Sequence, residues 1–524
     1  MKKKILAALL ACAMLLSVAG CEQSDNPGTT TGSGSGEGTK APAGTQGSDE
    51  GTKQETPPPS DSTDYVNAEV NKKDDPQMVD TGFKNPDGEG KKFRIAVWND
   101  EWQKFFQKYY KVPEGVEVEW VVAPNDGGAY QKKLDEMLQA NADASADDKI
   151  DLFLAEADYI KKYACSDYTM SLKDLGLERA ATAYSYTYDA CTDTRNNETK
   201  GASFQATPNV LIYRKSIAKD VLGTDDPAEV QSKLDSWDKF NAVAKDAKAK
   251  GYYMTPSAIE TYRVYANNSS KSFITDGKFT LTDGFDKWLA QAEEFSKNGY
   301  TINCGVWADE KTAQMSNGGI PIPTKPNEGE SEEDFKARVE GYKKINEEYG
   351  DNCGKTLCFF GPAWYYNFCM GVALEHAAGD WAICEGPQAA FWGGTWMMVP
   401  TGTDNASMAA DVLKAFTENT DILTQLVMKD NQYANHKNVM KSYAESKDYQ
   451  NKFLVKGQND IAIMYKLAEN IKWDADLHTQ YDQTFNEKLP EQILEYLKGS
   501  CTKEEALNNF YKTLDESCPG VTHD

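Results

Sequence analysis

The feature that most constrains the fold is an alternation of short strands and amphipathic helices that begins near residue 92. Residues 93–97 and 116–120 alternate between apolar and polar side chains, and residues 150–155 form a nearly continuous apolar run. Each pattern predicts a β-strand. Between the strands, apolar side chains recur at helical spacing, namely Trp102, Phe105, Phe106 and Tyr109, followed by Tyr130, Leu134, Met137 and Leu138. Strands that alternate with helices over short connections indicate a parallel sheet covered by helices, so we predict an α/β fold.

Further helices are predicted in the later part of the chain. Residues 237–247 and 285–295 have helical periodicity. Ser331 and Thr502 each precede acidic residues in the pattern of a capping box, which predicts a helix after each of them. These helices indicate a second, helix-rich unit.

Polar side chains follow two of the predicted strands. The first strand leads into Trp98, Asn99 and Asp100, and the third leads into Glu156 and Asp158. In open α/β sheets, ligands bind in the crevice beyond the carboxyl ends of the strands, so we expect a binding site at this edge. The two aspartates could equally cap helices. Glu156 has less structural reason to stand at the end of a strand, which favours a role in binding.

Aromatic residues beside glycine or proline mark two later segments, residues 360–366 and 391–396. A flat indole ring can cover the apolar CH face of a sugar, while Asp, Glu, Asn and Gln exchange hydrogen bonds with its hydroxyl groups. Trp364 and Trp396 could instead pack in a core. Their position beside turns, outside any periodic element, favours a pocket.

The charge balance excludes one class of partner. The 524 residues include 56 Lys and Arg against 81 Asp and Glu, which gives a formal net charge of −25. Such a surface repels polyanions, so we predict no nucleic-acid partner. The four histidines are isolated, and we predict no metal site, no cofactor and no catalytic residue. Paired carboxylates of a glycoside hydrolase stay open as an alternative, because sequence does not reveal their separation in space.

The N-terminus has the pattern of an export signal. Three lysines precede an apolar run at residues 5–16, which is too short to span a bilayer as a helix. The small residues before Cys21 resemble a bacterial lipobox. We therefore predict a lipoprotein signal peptide at residues 1–20 and lipidation of Cys21.

The segment after the lipobox is polar and rich in Gly, Ser and Thr, which predicts a lipidated cysteine and flexible tether over residues 21–90. The predicted location is the extracellular face of the bacterial cytoplasmic membrane, with a lipid anchor. Of the 11 cysteines, Cys12 leaves with the signal and Cys21 is acylated, so nine remain. An odd number excludes a full disulfide framework, and we predict free thiols.

Several ordered segments resemble the extracellular solute-binding lipoproteins of ABC sugar importers, the family that includes maltose-binding protein. The segments are the lipobox at Cys21, residues 150–163, residues 205–214, residues 360–364, the Gly393-Gly394 pair and a predicted helix at residues 408–416. The resemblance implies a two-lobed periplasmic-binding-protein type II fold with hinge crossovers. It places one α/β lobe at residues 91–203 plus 391–438 and the other at residues 204–390 plus 439–524.

The resemblance also implies a function and a set of binding residues. The chain would bind a carbohydrate, specifically an oligosaccharide, without catalysis, and deliver it to the membrane permease of an ABC transporter as a monomer. A secreted glycoside hydrolase, or a binding protein of the same fold for peptides or other solutes, is the alternative. The implied ligand-binding residues are Trp98, Asn99, Asp100, Glu156 and Asp158 in the first lobe, Gln205, Tyr213 and Trp364 in the second, and Trp392, Gly394 and Trp396 near the hinge.

Overall fold

The computed structural model describes residues 76–125, 128–326, 330–455 and 458–523. The predicted signal peptide, Cys21 and the first part of the predicted tether lie outside the described residues. The described part is an α/β structure, which confirms the predicted fold class. None of its helices has the length and apolar content needed to cross a bilayer.

The strands are short and spread along the chain. They are β1 (Lys92–Val97), β2 (Glu117–Val122), β3 (Leu152–Glu156), β4 (Thr192–Asp193), β5 (Glu198–Thr199), β6 (Ala202–Ser203), β7 (Val210–Arg214), β8 (Ile274–Thr275), β9 (Lys278–Phe279), β10 (Cys358–Gly361), β11 (Trp381–Cys384) and β12 (Thr395–Met398). The three strands predicted from periodicity are β1, β2 and β3, with ends that differ by at most two residues.

Two main sheets organise the molecule. The first has the order β2-β1-β3-β12-β6, in which β1 runs parallel to β2 and β3, while β12 is antiparallel to β3 and β6. The second has the order β10-β7-β11 and is antiparallel. We call the unit around the first sheet the first lobe and the unit around the second sheet the second lobe.

Helices cover both sheets. They are α1 (Glu101–Tyr109), α2 (Ala129–Ala140), α3 (Ile160–Ala164), α4 (Ser185–Ala190), α5 (Lys215–Leu222), α6 (Pro227–Leu234), α7 (Trp237–Ala249), α8 (Tyr262–Asn267), α9 (Asp283–Asn298), α10 (Asp309–Met315), α11 (Glu332–Tyr349), α12 (Ala363–Tyr365), α13 (Val372–His376), α14 (Ala406–Glu418), α15 (Thr420–Asp430), α16 (Lys437–Ala444), α17 (Asp460–Ala468), α18 (Leu489–Leu497) and α19 (Lys503–Ser517). The apolar stripe predicted on α1 is buried along its whole length. Ser331 and Thr502 cap α11 and α19, as predicted.

Three segments cross between the lobes: residues 204–209, residues 385–394 and residues 431–436. Single β-bridges hold them side by side, joining Pro208 to Phe391 and Gln205 to Ala434. These segments are the hinge crossovers that the resemblance implied.

The start of the described chain packs on the first lobe. Val79 forms a parallel bridge with Tyr110, and the side chains of Val79 and Phe83 pack against the main core. Glu89 accepts a hydrogen bond from the backbone of Ser407. The part of the predicted tether from about residue 77 onward is therefore attached to the folded protein.

Candidate ligand-binding site

An ion pair joins the two lobes just beyond the carboxyl end of β3. Asp158 belongs to the 3₁₀ turn Ala157–Tyr159, and Arg263 lies on α8, beside the second sheet. Two guanidinium nitrogens of Arg263 donate to the two carboxylate oxygens of Asp158, both at 2.6 Å. Asn486 donates to Asp158 Oδ1 at 2.8 Å. Asp158 therefore binds to two residues that pack with the second lobe instead of capping a helix.

Two further carboxylates surround this pair. Glu156 Oε2 accepts the backbone N–H of Asp158 at 2.8 Å, so Glu156 is the residue that caps the turn. Burial, followed by the charge of Asp158, raises the pKa of Glu156 well above its ordinary value, while Arg263 opposes the shift. Burial, again followed by the charge of Asp158, raises the pKa of Glu487 to about 7. Both carboxyl groups therefore hold a proton more strongly than an exposed glutamate does.

Three tryptophans form the aromatic side of the site. The ring centroids of Trp364 and Trp392 are 5.0 Å apart, and Trp364 Nε1 donates to the carbonyl of Trp392 at 3.1 Å. Trp307 stacks on Trp364 at 6.3 Å and is 49% exposed. The guanidinium of Arg263 lies 5.7 Å from the ring of Trp392, which connects the aromatic side to the ion pair.

Two glycines let the hinge backbone pass between these groups. Gly393 has φ +67°, and a Cβ there would lie 3.4 Å from both Glu156 Oε1 and Trp364 Nε1. Gly394 has φ +125°, and its carbonyl accepts the backbone N–H of Ala157 at 3.2 Å. Positive φ and the close approach of neighbours both favour glycine. The Gly-Gly pair thus brings the crossover that leads into β12 close to Glu156.

A small cavity, open to solvent, borders the ion pair and is lined by residues of both lobes. Aromatic side chains form part of its wall. Trp473 stacks on His478 with ring centroids 3.6 Å apart, and Phe391 lies 5.3 Å from Trp473. His478 Nδ1 is 2.7 Å from Asp482. Within the described residues, no group of His, Cys, Asp and Glu side chains could hold a metal ion, and the nine cysteines there are free.

Five of the predicted site residues meet at this place: Glu156, Asp158, Trp364, Trp392 and Gly394. Trp98 lies nearby, half-buried, with its ring edge-to-face on Tyr130 and Tyr159.

The other predicted residues have structural partners elsewhere. Asn99 Oδ1 accepts the N–H of Glu101, and Asp100 pairs with Lys104 on the same helix at 3.0 Å. Three more are buried: Gln205 Nε2 donates to Thr395 Oγ1, the Tyr213 hydroxyl donates to the carbonyl of Asp225, and Trp396 Nε1 donates to the carbonyl of Thr187. The structure does not bring these side chains to the ion pair.

Four residues of the site were missed by sequence reasoning: Arg263, Trp307, Asn486 and Glu487. Arg263 lies on a helix of six residues, too short for a periodic signal. Trp307 lies in an irregular segment, and the last two residues lie in the π-helical turn Thr484–Lys488. The tryptophan in a non-periodic segment, two residues after a glycine, has the same signal that identified Trp364.

Comparison with known proteins shows what this chain is similar to. Residues 104–329 match the model of bacterial extracellular solute-binding proteins. The predicted resemblance to this class of proteins is confirmed. By sequence, no curated protein matches the chain.

Solved structures share the fold. An extracellular solute-binding protein family 1 structure superposes with a TM-score of 0.61 at 16% identity, covering 82% of this chain and 100% of the other. The galacto-N-biose/lacto-N-biose I-binding protein of an ABC transporter from Bifidobacterium longum gives 0.57 at 14%, covering 84% and 100%. An ABC transporter associated binding protein from B. animalis subsp. lactis gives 0.55 at 14%, covering 83% and 99%. The two-lobed type II fold is thereby confirmed.

Proposed function

We propose that the protein binds a carbohydrate outside the cell and delivers it to the membrane permease of an ABC transporter. The observation that carries the proposal is the meeting of indole rings, carboxylates and an arginine where the two lobes face each other. Two structures with the same fold hold a disaccharide, lacto-N-biose in one and β-1,6-galactobiose in the other. These relatives support a saccharide as the solute.

The site has the groups that saccharide binding requires. The rings of Trp307, Trp364 and Trp392 offer flat apolar surface for the CH face of a sugar. Glu156 and Asn486 offer hydrogen-bonding groups for hydroxyls. A ligand that contacts both lobes stabilises the closed arrangement relative to the open one, and this difference in affinity drives closure about the hinge.

In the proposed role the protein binds its ligand and does not change it chemically. A secreted glycoside hydrolase and a peptide-binding protein of the same fold are the competing functions. One set of measurements distinguishes the proposed function from these two. In it, the protein is incubated with oligosaccharides and with peptides. A ligand at a hundred times its dissociation constant raises stability by about 2.7 kcal/mol, which a thermal-shift assay detects.

Stabilisation by a saccharide that is recovered intact supports the proposal. Release of new reducing ends would instead support the hydrolase, and stabilisation by peptides alone would support the third function. The variant Trp392→Ala tests the site itself. It removes one of the three indole rings and should abolish the thermal shift caused by the saccharide.

We further propose that the mature protein is a monomer anchored by a lipid on Cys21, with lobes divided near residues 203, 390 and 438. The size and sequence of the N-terminal segment support the anchor. Cys21→Ala should move the protein from the membrane fraction to the soluble fraction. Retention of the variant in the membrane fraction would contradict the anchor.

A further inference from the structure

We propose that the saccharide recognised by this site carries a protonated amine, as an amino sugar does. The inference rests on the proposed carbohydrate function and specifies the ligand class. Its basis is a surplus of acid: the carboxyl groups of Glu156, Asp158 and Glu487 lie around one guanidinium, that of Arg263. With all groups ionised, the formal charge of this set is −3 + 1 = −2.

The hydrogen bonds show which carboxyl groups are left for a ligand. Asp158 already receives two bonds from Arg263 and one from Asn486. Glu156 Oε1 accepts no hydrogen bond from the described residues, since only Oε2 is bound, by the backbone of Asp158. Glu487 receives only long contacts from Gln483 Nε2, at 3.3 and 3.4 Å. Neither glutamate forms a salt bridge within the described part of the chain.

The aromatic side of the site also suits a cation. The face of an indole ring attracts positive charge, and the approach of Arg263 to Trp392 already uses this attraction. Trp307 leaves 49% of its surface open beside the same rings. An ammonium group next to Glu156 would therefore meet both a carboxylate and an aromatic face.

The other groups around the glutamates do not balance the charge. Tyr159 is buried and neutral, since burial and the charges of Tyr130 and Glu156 raise the pKa of its hydroxyl. The charge of Lys488 lowers the pKa of Glu487 only slightly. Lys488 instead pairs with Glu491 at 3.1 Å. Lys271 lines the neighbouring cavity and is exposed.

Binding of an amine should change the protonation of these carboxyl groups, which binding of a neutral sugar should not. Burial raises the pKa of Glu487 to about 7 and that of Glu156 well above its ordinary value, so both carboxyl groups favour the protonated form before a ligand binds. A bound ammonium favours the ionised carboxylates, and the site then releases protons to the buffer. A neutral sugar lacks this effect.

The test is titration calorimetry on the full mature protein at neutral pH, in buffers that differ in ionisation enthalpy. The probes are short glucosamine oligomers, their N-acetylated counterparts and glucose oligomers of the same linkage. We expect the glucosamine oligomers to bind at least about tenfold more tightly than the other two, with release of protons. Glu156→Gln and Glu487→Gln should each reduce this preference about tenfold, because each removes a carboxylate that would pair with the ammonium group. Glu495→Gln is the control, because Glu495 lies on α18 and pairs with Lys498 away from the site.

The measurements distinguish a wrong ligand class from a wrong function. Neutral saccharides that bind as tightly as the amines, with no proton release, would overturn the inference and leave the carbohydrate function in place. The absence of binding by every saccharide would overturn the proposed function itself, and the inference with it.

Discussion

Asp158 and Arg263 form a two-point ion pair across the interface of the lobes, with both nitrogen–oxygen distances at 2.6 Å. Their side chains are only 5% and 13% exposed. Because each lobe contributes one charge, the lobes cannot separate at this point without exposing or unpairing both groups. The pair therefore links stability, closure and the shape of the binding site.

Removal of the arginine should destabilise the protein. In Arg263→Gln the carboxylate of Asp158 stays buried without its partner, and such a change costs about 3 kcal/mol. Urea unfolding monitored by tryptophan fluorescence measures the loss. Arg179→Gln is the matched control, because Arg179 and Asp189 are 41% and 42% exposed and an exposed pair contributes less than about 1 kcal/mol. Equal losses in the two variants would mean that the pair across the lobes is solvated.

The sequence was sufficient for the parts of the fold and site that depend on local patterns. The period of two in β1 and the stripe on α1 follow from burial of one face, so both were predicted. Glu156 and Asp158 were placed in the site because a strand ends before them. Arg263 was missed since its role depends on a partner 105 residues away, which no local pattern reveals. Tyr213 has the same kind of local context as a binding residue, yet β7 is the central strand of its sheet, and the side chain is buried there.

Trp307 should contribute to ligand affinity and little to stability. Its ring is 49% exposed, so Trp307→Ala removes few buried contacts. We expect ligand affinity to fall about tenfold, and the free energy of unfolding to change by less than about 1 kcal/mol. Trp288→Ala is the contrasting variant, because Trp288 is fully buried and its loss should cost about 3 to 5 kcal/mol. Calorimetric titration and urea unfolding provide the two measurements, and unchanged affinity in Trp307→Ala would remove this residue from the site.

Asp460 should make the protein less stable as the pH rises. It is 3% exposed, Asn451 donates to its Oδ2 at 2.8 Å, and burial raises its pKa from 3.8 to about 6. Between these two values the folded state holds the proton that the unfolded state has lost. Stability therefore falls as the pH rises from about 4 to 6 and is constant above that.

Asp460→Asn should remove this part of the pH dependence. The shift of about two pKa units corresponds to at most about 3 kcal/mol, so we expect the variant to be about 1 to 3 kcal/mol more stable at neutral pH and equal to the parent near pH 4. Urea unfolding at both pH values measures the difference. Asp421→Asn is the control, because Asp421 also lies in the first turn of a helix but is exposed. A constant difference between variant and parent at the two pH values would show that Asp460 keeps an ordinary pKa.

The segment before β1 should be part of the folded unit. The backbone of Val79 donates to Tyr109 at 2.8 Å and accepts from Lys111 at 3.1 Å, and Thr81 Oγ1 donates to Asp411 at 2.8 Å. A chain that begins at Lys91 loses these bonds and the apolar contacts of Val79 and Phe83, for an expected loss of about 2 to 4 kcal/mol.

A chain that begins at Gln77 keeps all of these contacts and should match the full mature chain in urea unfolding. The comparison of the two truncated chains isolates residues 77–90 from the polar sequence before them. Because Asp411 also accepts the hydroxyl of Tyr110 at 2.7 Å, Thr81→Val should retain most of the stability, whereas Asp411→Ala should lose more by unpairing a buried tyrosine. If the chain from Lys91 unfolds at the same urea concentration as the chain from Gln77, then this segment does not stabilise the first lobe, and the free tether extends to β1.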